Sequence, residues 1–263
     1  MNVYQRILEI QAAGGRAALA TVVRTSGSVP RRPGAKMLVL PDGSIEGSVG
    51  GGEMESRVIE EAQAAMADGR PRTLNYELRD PGSGDPGVCG GTVEVYVEAI
   101  RPEETIVVVG AGHVGQAVAH LADWLGFRVE VSDDRPEFCT PDAVPSARAF
   151  HPGPLEDLPD SMAINDQTYL VLTTRNLEVD LAGLPRLLDS PAAYIGVIGS
   201  RRRWATARKA LEEQGIPAEK LERVRSPMGL DLKAETPEEI AVSILSEIIM
   251  LRRGVDGERM GDQ

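Results

Sequence analysis

Residues 105–253 are predicted to fold as a doubly wound parallel sheet and residues 1–100 as a smaller α+β domain, an α/β chain overall. Three observations carry that reading. An apolar run from Ile106 to Val109 reads as a buried parallel strand, meets a G-x-G-x-x-G turn at Gly110, Gly112 and Gly115, and continues with Val114, Val118, Leu121 and Leu125 at helical spacing. A second strand over residues 127–132 leads to Asp133, where a Rossmann-like unit would carry its ribose-binding carboxylate. Beyond it strands and helices alternate, whereas before Arg101 short strands follow one another across turn signals.

Composition sets the outer bounds. The chain has 263 residues, 42% of them hydrophobic, enough for two modest cores. Lys plus Arg number 28 and Asp plus Glu 40, a net charge of −12 that argues against nucleic-acid binding or adhesion to anionic lipid. Val3, Ile7 and Ile10 open an amphipathic helix with no signal-peptide core behind it, and no apolar run reaches the roughly 18 residues of a membrane helix. The expectation is a soluble, cytoplasmic protein with no membrane or nucleic-acid partner. Cys89 and Cys139 are the only cysteines, and His113, His120 and His151 do not cluster with them, so neither a disulfide framework nor a metal site is expected.

In the first domain, Ala17 to Thr25 reads as a strand, followed by a loop from Ser26 to Gly34 whose Arg31 and Arg32 stand between two prolines. That loop is either a solvated turn or a rigid anion contact. Residues 36–40 and 44–48 form a hairpin around Pro41-Asp42-Gly43. The next turn, Gly50-Gly51-Gly52-Glu53, runs into a helix with Met54, Val58, Ile59, Ala62 and Met66 apolar. Its glycines serve either an anion at the helix N-terminus or tight packing of helix on strand. After a strand over residues 72–78, a loop rich in Pro, Gly and Asp ends at Cys89-Gly90-Gly91, the glycines leaving the thiol uncrowded. A half-buried strand follows, with Val93, Val95 and Val97 on one face.

Arg101-Pro102-Glu103-Glu104 is the expected domain break. In the second domain short strands are predicted at residues 147–150, 169–173 and 194–198, with a helix after Leu177 and another from Arg201. Ligands of such sheets bind at the carboxyl ends of the strands, which singles out Asp133-Asp134-Arg135 and Gly199-Ser200-Arg201-Arg202-Arg203. Three cations in a first helical turn oppose the macrodipole by about 0.3–1 kcal/mol each, so an anionic ligand or an acidic partner is expected there, the alternative being arginines splayed into water or paired with local carboxylates. The last helix opens with a capping box at Thr236-Pro237-Glu238-Glu239 and carries Ile240, Ile244, Ile248 and Leu251 on one stripe; residues 254–263 read as a flexible tail.

A hydride-transfer enzyme needs an acid or base beside its cofactor, and neither a placed histidine nor a Tyr-x-x-x-Lys pair is present. The glycine turns therefore suit a protein that holds a phosphate-bearing cofactor. At this point the chain resembles the XdhC/CoxI family, over about residues 3–252. The resemblance rests on Gly27-Ser28-Val29-Pro30-Arg31 with Gly34-Ala35-Lys36-Met37, Gly50-Gly51-Gly52-Glu53, Cys89-Gly90-Gly91, Gly110-Ala111-Gly112-His113-Val114-Gly115, Asp133-Asp134-Arg135, Ile195 to Arg201, and Pro227 to Asp231 before Thr236.

The resemblance implies an accessory protein that binds molybdenum cofactor, supports its sulfuration by a cysteine desulfurase and delivers it to a molybdenum hydroxylase apoenzyme of the xanthine dehydrogenase type. It also implies a homodimer, and Cys89 as the contact to sulfur or molybdenum. Arg31, Gly50, Gly51, Gly52, Glu53, Gly90, Gly91, Gly110, Gly112, His113, Gly115, Asp133, Asp134, Arg135, Gly199, Ser200 and Arg201 would bind the cofactor, molybdopterin alone or as a dinucleotide. One departure stands out: many relatives carry a histidine after Leu172-Thr173-Thr174, where this chain has Arg175, with Asp180 further on. The alternatives are an NAD-dependent oxidoreductase and a non-catalytic NAD-binding sensor.

Overall fold

The computed structural model describes residues 2–78 and 90–257 and divides into two compact units, Met1–Pro102 and Glu103–Gln263. In the first unit α1 (Val3–Ala12) leads to β1 (Ala17–Ser26), β2 (Lys36–Val39) and β3 (Ile45–Gly47), then α2 (Gly52–Asp68), β4 (Arg72–Glu77) and β5 (Thr92–Ile100). The strands form one antiparallel sheet in the order β3-β2-β1-β5-β4. Alternation along β1 sends Ala18, Ala20 and Val22 to the face covered by α2, through Met54, Val58 and Ala62, and Ala17 and Leu19 to the face covered by α1, through Ile10. The helix α2 stops where Gly69 takes a left-handed conformation at φ 70°.

In the second unit β6 (Thr105–Val109) is followed by α3 (His113–Trp124), β7 (Arg128–Asp133), β8 (Ala149–Pro152), the single turn α4 (Leu158–Ser161), β9 (Thr168–Leu172) and α5 (Leu177–Leu188). Then come β10 (Tyr194–Val197), α6 (Arg201–Glu213), α7 (Ala218–Leu221), β11 (Val224–Arg225) and α8 (Pro237–Arg253). All neighbouring strands pair in parallel, in the order β11-β10-β9-β6-β7-β8. The order reverses between β6 and β9, so the carboxyl ends of these two strands border the crevice of a Rossmann-like sheet.

Every residue of β6 and β9 is buried, because helices cover both faces. Ile106, Val108 and Val171 pack with α3 and α8, and Val107, Leu170 and Leu172 pack with α5 and α6. The predicted stripe on α3 shifts: Leu125 is exposed and the seam is made by Val118, Ala119 and Ala122, small residues that let α8 approach. The capping box of α8 forms as predicted, while Leu251, at the end of its expected stripe, is exposed. No helix among the described residues is long and apolar enough to cross a membrane. Of the expected flexible tail, residues 258–263 lie outside the described residues.

Candidate functional site

The turn after β6 uses its three glycines in three different ways. Gly110 has φ 97°, and a Cβ there would stand 2.9 Å from the Thr173 carbonyl oxygen. A Cβ on Gly115 would stand 2.0 Å from the Gly110 carbonyl oxygen, so this glycine lets α3 lie against the strand. At Gly112 a Cβ would have nothing within 4 Å among the described residues and would face open space. As the N-cap of α3, Gly112 offers no side-chain acceptor, so the first-turn N–H groups of that helix lack the cap that Asn176, Ser200 and Thr236 provide for α5, α6 and α8. Thr173 fixes the turn from the β9 side, its hydroxyl donating to the Gly110 carbonyl at 2.6 Å.

These elements enclose a cleft of about 150 Å³ whose lining includes Gly110, Gly112, Asp133, Asp134, Arg135, Thr173, Thr174 and Arg175. Five residues singled out from sequence are thereby brought together. His113 and Gly115 are not among the lining: His113 is exposed on α3, and Gly115 is buried beneath the turn. Neither do Gly199, Ser200 and Arg201 line it. Ser200 caps α6 by accepting from the Arg203 N–H at 3.2 Å, and Arg201 and Arg202 are exposed.

Asp133 has a different duty from the ribose contact its position suggested. It is 3% exposed, accepts from the Ala111 N–H at 2.8 Å and the Arg135 N–H at 2.9 Å, and pairs with the Arg135 guanidinium at 2.9 and 3.0 Å. Both oxygens are occupied within the chain, so the residue braces the glycine turn. Burial opposes its charge, but Arg135 and the two backbone donors outweigh that and hold the carboxyl below the ordinary Asp value. The sign follows: this stabilisation is present above the unfolded Asp value of about 3.9 and is lost as pH falls through the lower folded value. Asp133→Asn is therefore expected to lose stability at pH 7 and to converge on the wild type in acid, measured by thermal melts across pH.

Arg203 takes the alternative left open for the arginines after β10, pairing with a local carboxylate. Its guanidinium donates at 2.6 Å to Asp180, whose side chain is 1% exposed, and at 3.0 Å to the Asn176 carbonyl; Thr174 donates its hydroxyl to the other Asp180 oxygen. Burial pushes the Asp180 carboxyl up, with Thr174 and Arg203 pulling the other way. Sequence reasoning missed this network, although Asp180 on the same buried stripe as Leu184, Leu187 and Leu188 signalled a need for a partner.

In the first unit three of the sequence motifs converge at one end of the sheet. A Cβ on Gly91 would stand 2.3 Å from the Ser28 carbonyl oxygen, one on Gly27 3.1 Å from that of Gly90, and one on Gly50 2.9 Å from Pro30 Cγ. Arg31 is exposed, with its Nε 3.5 Å from Ser48 Oγ, and Glu53 pairs with Arg57 on the surface at 2.5 Å. The anion expected at Gly50-Gly51-Gly52 comes from the chain itself. The Glu55 carboxylate accepts from the Val49 and Gly50 N–H groups at 3.1 and 3.2 Å and from Ser48 Oγ at 2.7 Å. Glu55→Ala leaves the Val49 N–H without its acceptor and the Gly50 N–H with Ser48 Oγ alone, at 3.3 Å, and is expected to lower the stability of this unit by about 1–3 kcal/mol, read from chemical denaturation.

Cys89 lies outside the described residues. Cys139 is buried, its Sγ 3.4 Å from the Val131 carbonyl oxygen, and burial pushes its thiol up, which makes it a core residue and not a reactive one. Among the described residues no three His, Cys, Asp or Glu side chains gather in a way that could hold a metal ion.

The sequence matches two family descriptions, the XdhC Rossmann domain over residues 106–248 and the XdhC and CoxI family over residues 10–77. The Escherichia coli protein YqeB is 33% identical over 99% of this chain and 48% of its own length. A protein from Bacillus subtilis described as a probable xanthine dehydrogenase subunit is 32% identical over 62% of this chain and 48% of its own length. The chain thus spans about half the length of these two relatives. The molybdenum cofactor insertion chaperone PaoD of Escherichia coli is 25% identical over 93% of this chain and 86% of its own. A crystal structure of a xanthine dehydrogenase from Bacillus halodurans superposes with a TM-score of 0.52 at 23% identity, covering 100% of this chain and 98% of that one, which supports the fold. With the Rossmann-domain match alone taking in more than half of the residues, and the second match falling on the unit that carries the other glycine motifs, the chain belongs to the XdhC and CoxI family.

Proposed function

We propose that the protein binds molybdenum cofactor by its phosphate end in the cleft after β6, supports sulfuration of the cofactor by a cysteine desulfurase, and delivers it to a xanthine dehydrogenase-type apoenzyme in the cytoplasm, acting as a homodimer. The observation that carries the reading is the cleft: an uncapped helix N-terminus behind an open Gly112, flanked by arginines, with no His, Tyr, Lys or Cys among its described lining residues. Such a lining offers backbone donors and two guanidinium groups to an anion, and its two carboxylates, Asp133 and Asp134, are each paired with an arginine. The protein named as a cofactor insertion chaperone, matching along nearly the whole chain, supports the same reading.

The residues fit the phosphate part of the cofactor. The N–H groups of the α3 first turn and Arg175 would hold it, and a volume of about 150 Å³ suits a phosphate group with the rest of the cofactor extending outward, against roughly 300–1,000 Å³ for a site that swallows a drug-sized ligand. The metal end calls for a soft donor, and Cys89 is the candidate. The engagement of Asp133 within the chain removes the usual ribose carboxylate and weighs against NAD as the ligand.

Anaerobic equilibrium binding of molybdenum cofactor and, separately, of NAD to the purified chain tests this. Near-stoichiometric pterin and molybdenum with weak NAD is the expected result; tight NAD with no pterin retained would overturn it. Cys89→Ser is expected to keep pterin and lose support of sulfuration. Full support by that variant would remove Cys89 from the mechanism.

A further inference from the structure

The mouth of the cleft carries an ion pair whose members come from opposite walls. Asp134 follows β7 and Arg175 lies beyond β9, and β6 with its glycine turn stands between those strands in the sheet. Arg175 donates through Nη1 and Nη2 to Asp134 Oδ1 and Oδ2 at 2.6 and 2.8 Å. This pair differs from its neighbour. The Asp133 side chain is 1% exposed and its oxygens take backbone donors as well, whereas Arg175 and Asp134 are 48% and 31% exposed and the Asp134 carboxylate takes no other hydrogen bond among the described residues. One pair is built into the turn, and the other is exchangeable.

A guanidinium fork fits two phosphate oxygens as well as it fits a carboxylate. A phosphate seated at the open N-terminus of α3 would compete with Asp134 for Arg175. We propose that Asp134 is the internal competitor that sets how much negative charge this cleft demands of its ligand. Arg175 passes to the ligand only when a multiply charged phosphate group, such as a diphosphate ester, displaces the Asp134 carboxylate, and a singly charged anion leaves the pair closed. The inference rests on the proposed reading of the cleft as a phosphate site and deepens it by assigning the specificity-determining residue.

The test is calorimetric titration of the full chain with inorganic pyrophosphate, for the wild type, Asp134→Asn, Arg175→Gln and the double variant. Both positions are exposed, so all four proteins are expected to melt alike. Asp134→Asn is expected to tighten pyrophosphate about fivefold, Arg175→Gln to weaken it by a similar factor, and the double variant to match Arg175→Gln. An unchanged or weaker Asp134→Asn, a gain that survives without Arg175, or no binding to any of the four would overturn the proposal. Cofactor retention by the same proteins separates the two readings. Cofactor retained by the wild type with no gain for pyrophosphate in Asp134→Asn removes the inference alone, while the expected pyrophosphate pattern with no cofactor retained removes the carrier reading alone.

Discussion

Replacing Arg203 by Met is expected to lower the unfolding free energy of the Rossmann-like unit by about 3–4 kcal/mol at pH 7, among the largest effects of any single side chain here. Asp180 is 1% exposed, and without the guanidinium its charge keeps only the Thr174 hydroxyl. The penalty has a ceiling, since the carboxyl can take up a proton: about 1.4 kcal/mol for each unit between an unfolded value near 3.9 and pH 7 gives roughly 4 kcal/mol. Arg203 Nε is buried without a partner among the described residues, so losing it returns a little of that cost. The pH dependence identifies the cause. In the variant the folded Asp180 value stands further above the unfolded one, so the deficit is absent below the unfolded value and develops as pH rises through the folded value. Urea denaturation at a series of pH values should show the variant closing on the wild type between neutrality and about pH 4.5, and Asp180→Asn combined with Arg203→Met should recover most of the loss at pH 7. A deficit that does not change with pH would mean that Arg203 acts through packing alone.

The same network marks where sequence reading reaches its limit. The strand, glycine turn and helix of residues 105–124 were legible because Gly110 and Gly115 answer steric demands that no other residue meets, and these fall at fixed spacing after an apolar strand. The alternation of strand and helix then gave the sheet class, and the capping box gave the start of α8. Arg201, Arg202 and Arg203 were read as one group, yet successive helical residues point about 100° apart, so only one of them reaches Asp180. Nothing in the spacing says which. The reading of Asp133 as a ribose carboxylate met a similar limit: a carboxylate at the end of a second strand can face a ligand or turn back on the loop, and Arg135 two residues later draws it to the loop.

The edges of the parallel sheet were read least well. The strand expected at residues 147–150 forms at Ala149–Pro152, and it tolerates its proline because Pro152 is the last residue of β8, where the Gly153 N–H donates to the Asp133 carbonyl instead at 3.1 Å. The strand β11 has two residues, too few to show a period. In the first unit the glycine run before α2 fits either anion binding or close packing, and the chain fills both parts with residues of its own. Glu55 supplies the anion, and Pro30 with Met54 fills the space that a side chain on Gly50 would need.

The two glycines that flank the start of α3 separate folding from binding. Gly115→Ala places a methyl group 2.0 Å from the Gly110 carbonyl oxygen, closer than any real contact. The obstacle is backbone, held by Thr173 from one side and by Asp133 through Ala111 from the other, so it cannot yield cheaply. A loss of about 3 kcal/mol, the upper part of the range for overpacked sites, is expected in denaturant unfolding. Gly112→Val adds a larger group but puts it into open space, at φ −72° and ψ −172°, where β-branched residues are comfortable. Its stability is expected to fall by less than about 1 kcal/mol, the difference between a glycine and an aliphatic N-cap. Ligand affinity should fall far more. The new side chain occupies the path by which a phosphate reaches the first-turn N–H groups, and losing one or two charge-assisted hydrogen bonds at about 1.5–3 kcal/mol each weakens binding by roughly ten- to a hundredfold or beyond. If Gly112→Val retains molybdenum cofactor as well as the wild type while melting normally, the phosphate does not enter by this turn, and the arginines at its mouth then have to be explained without a ligand.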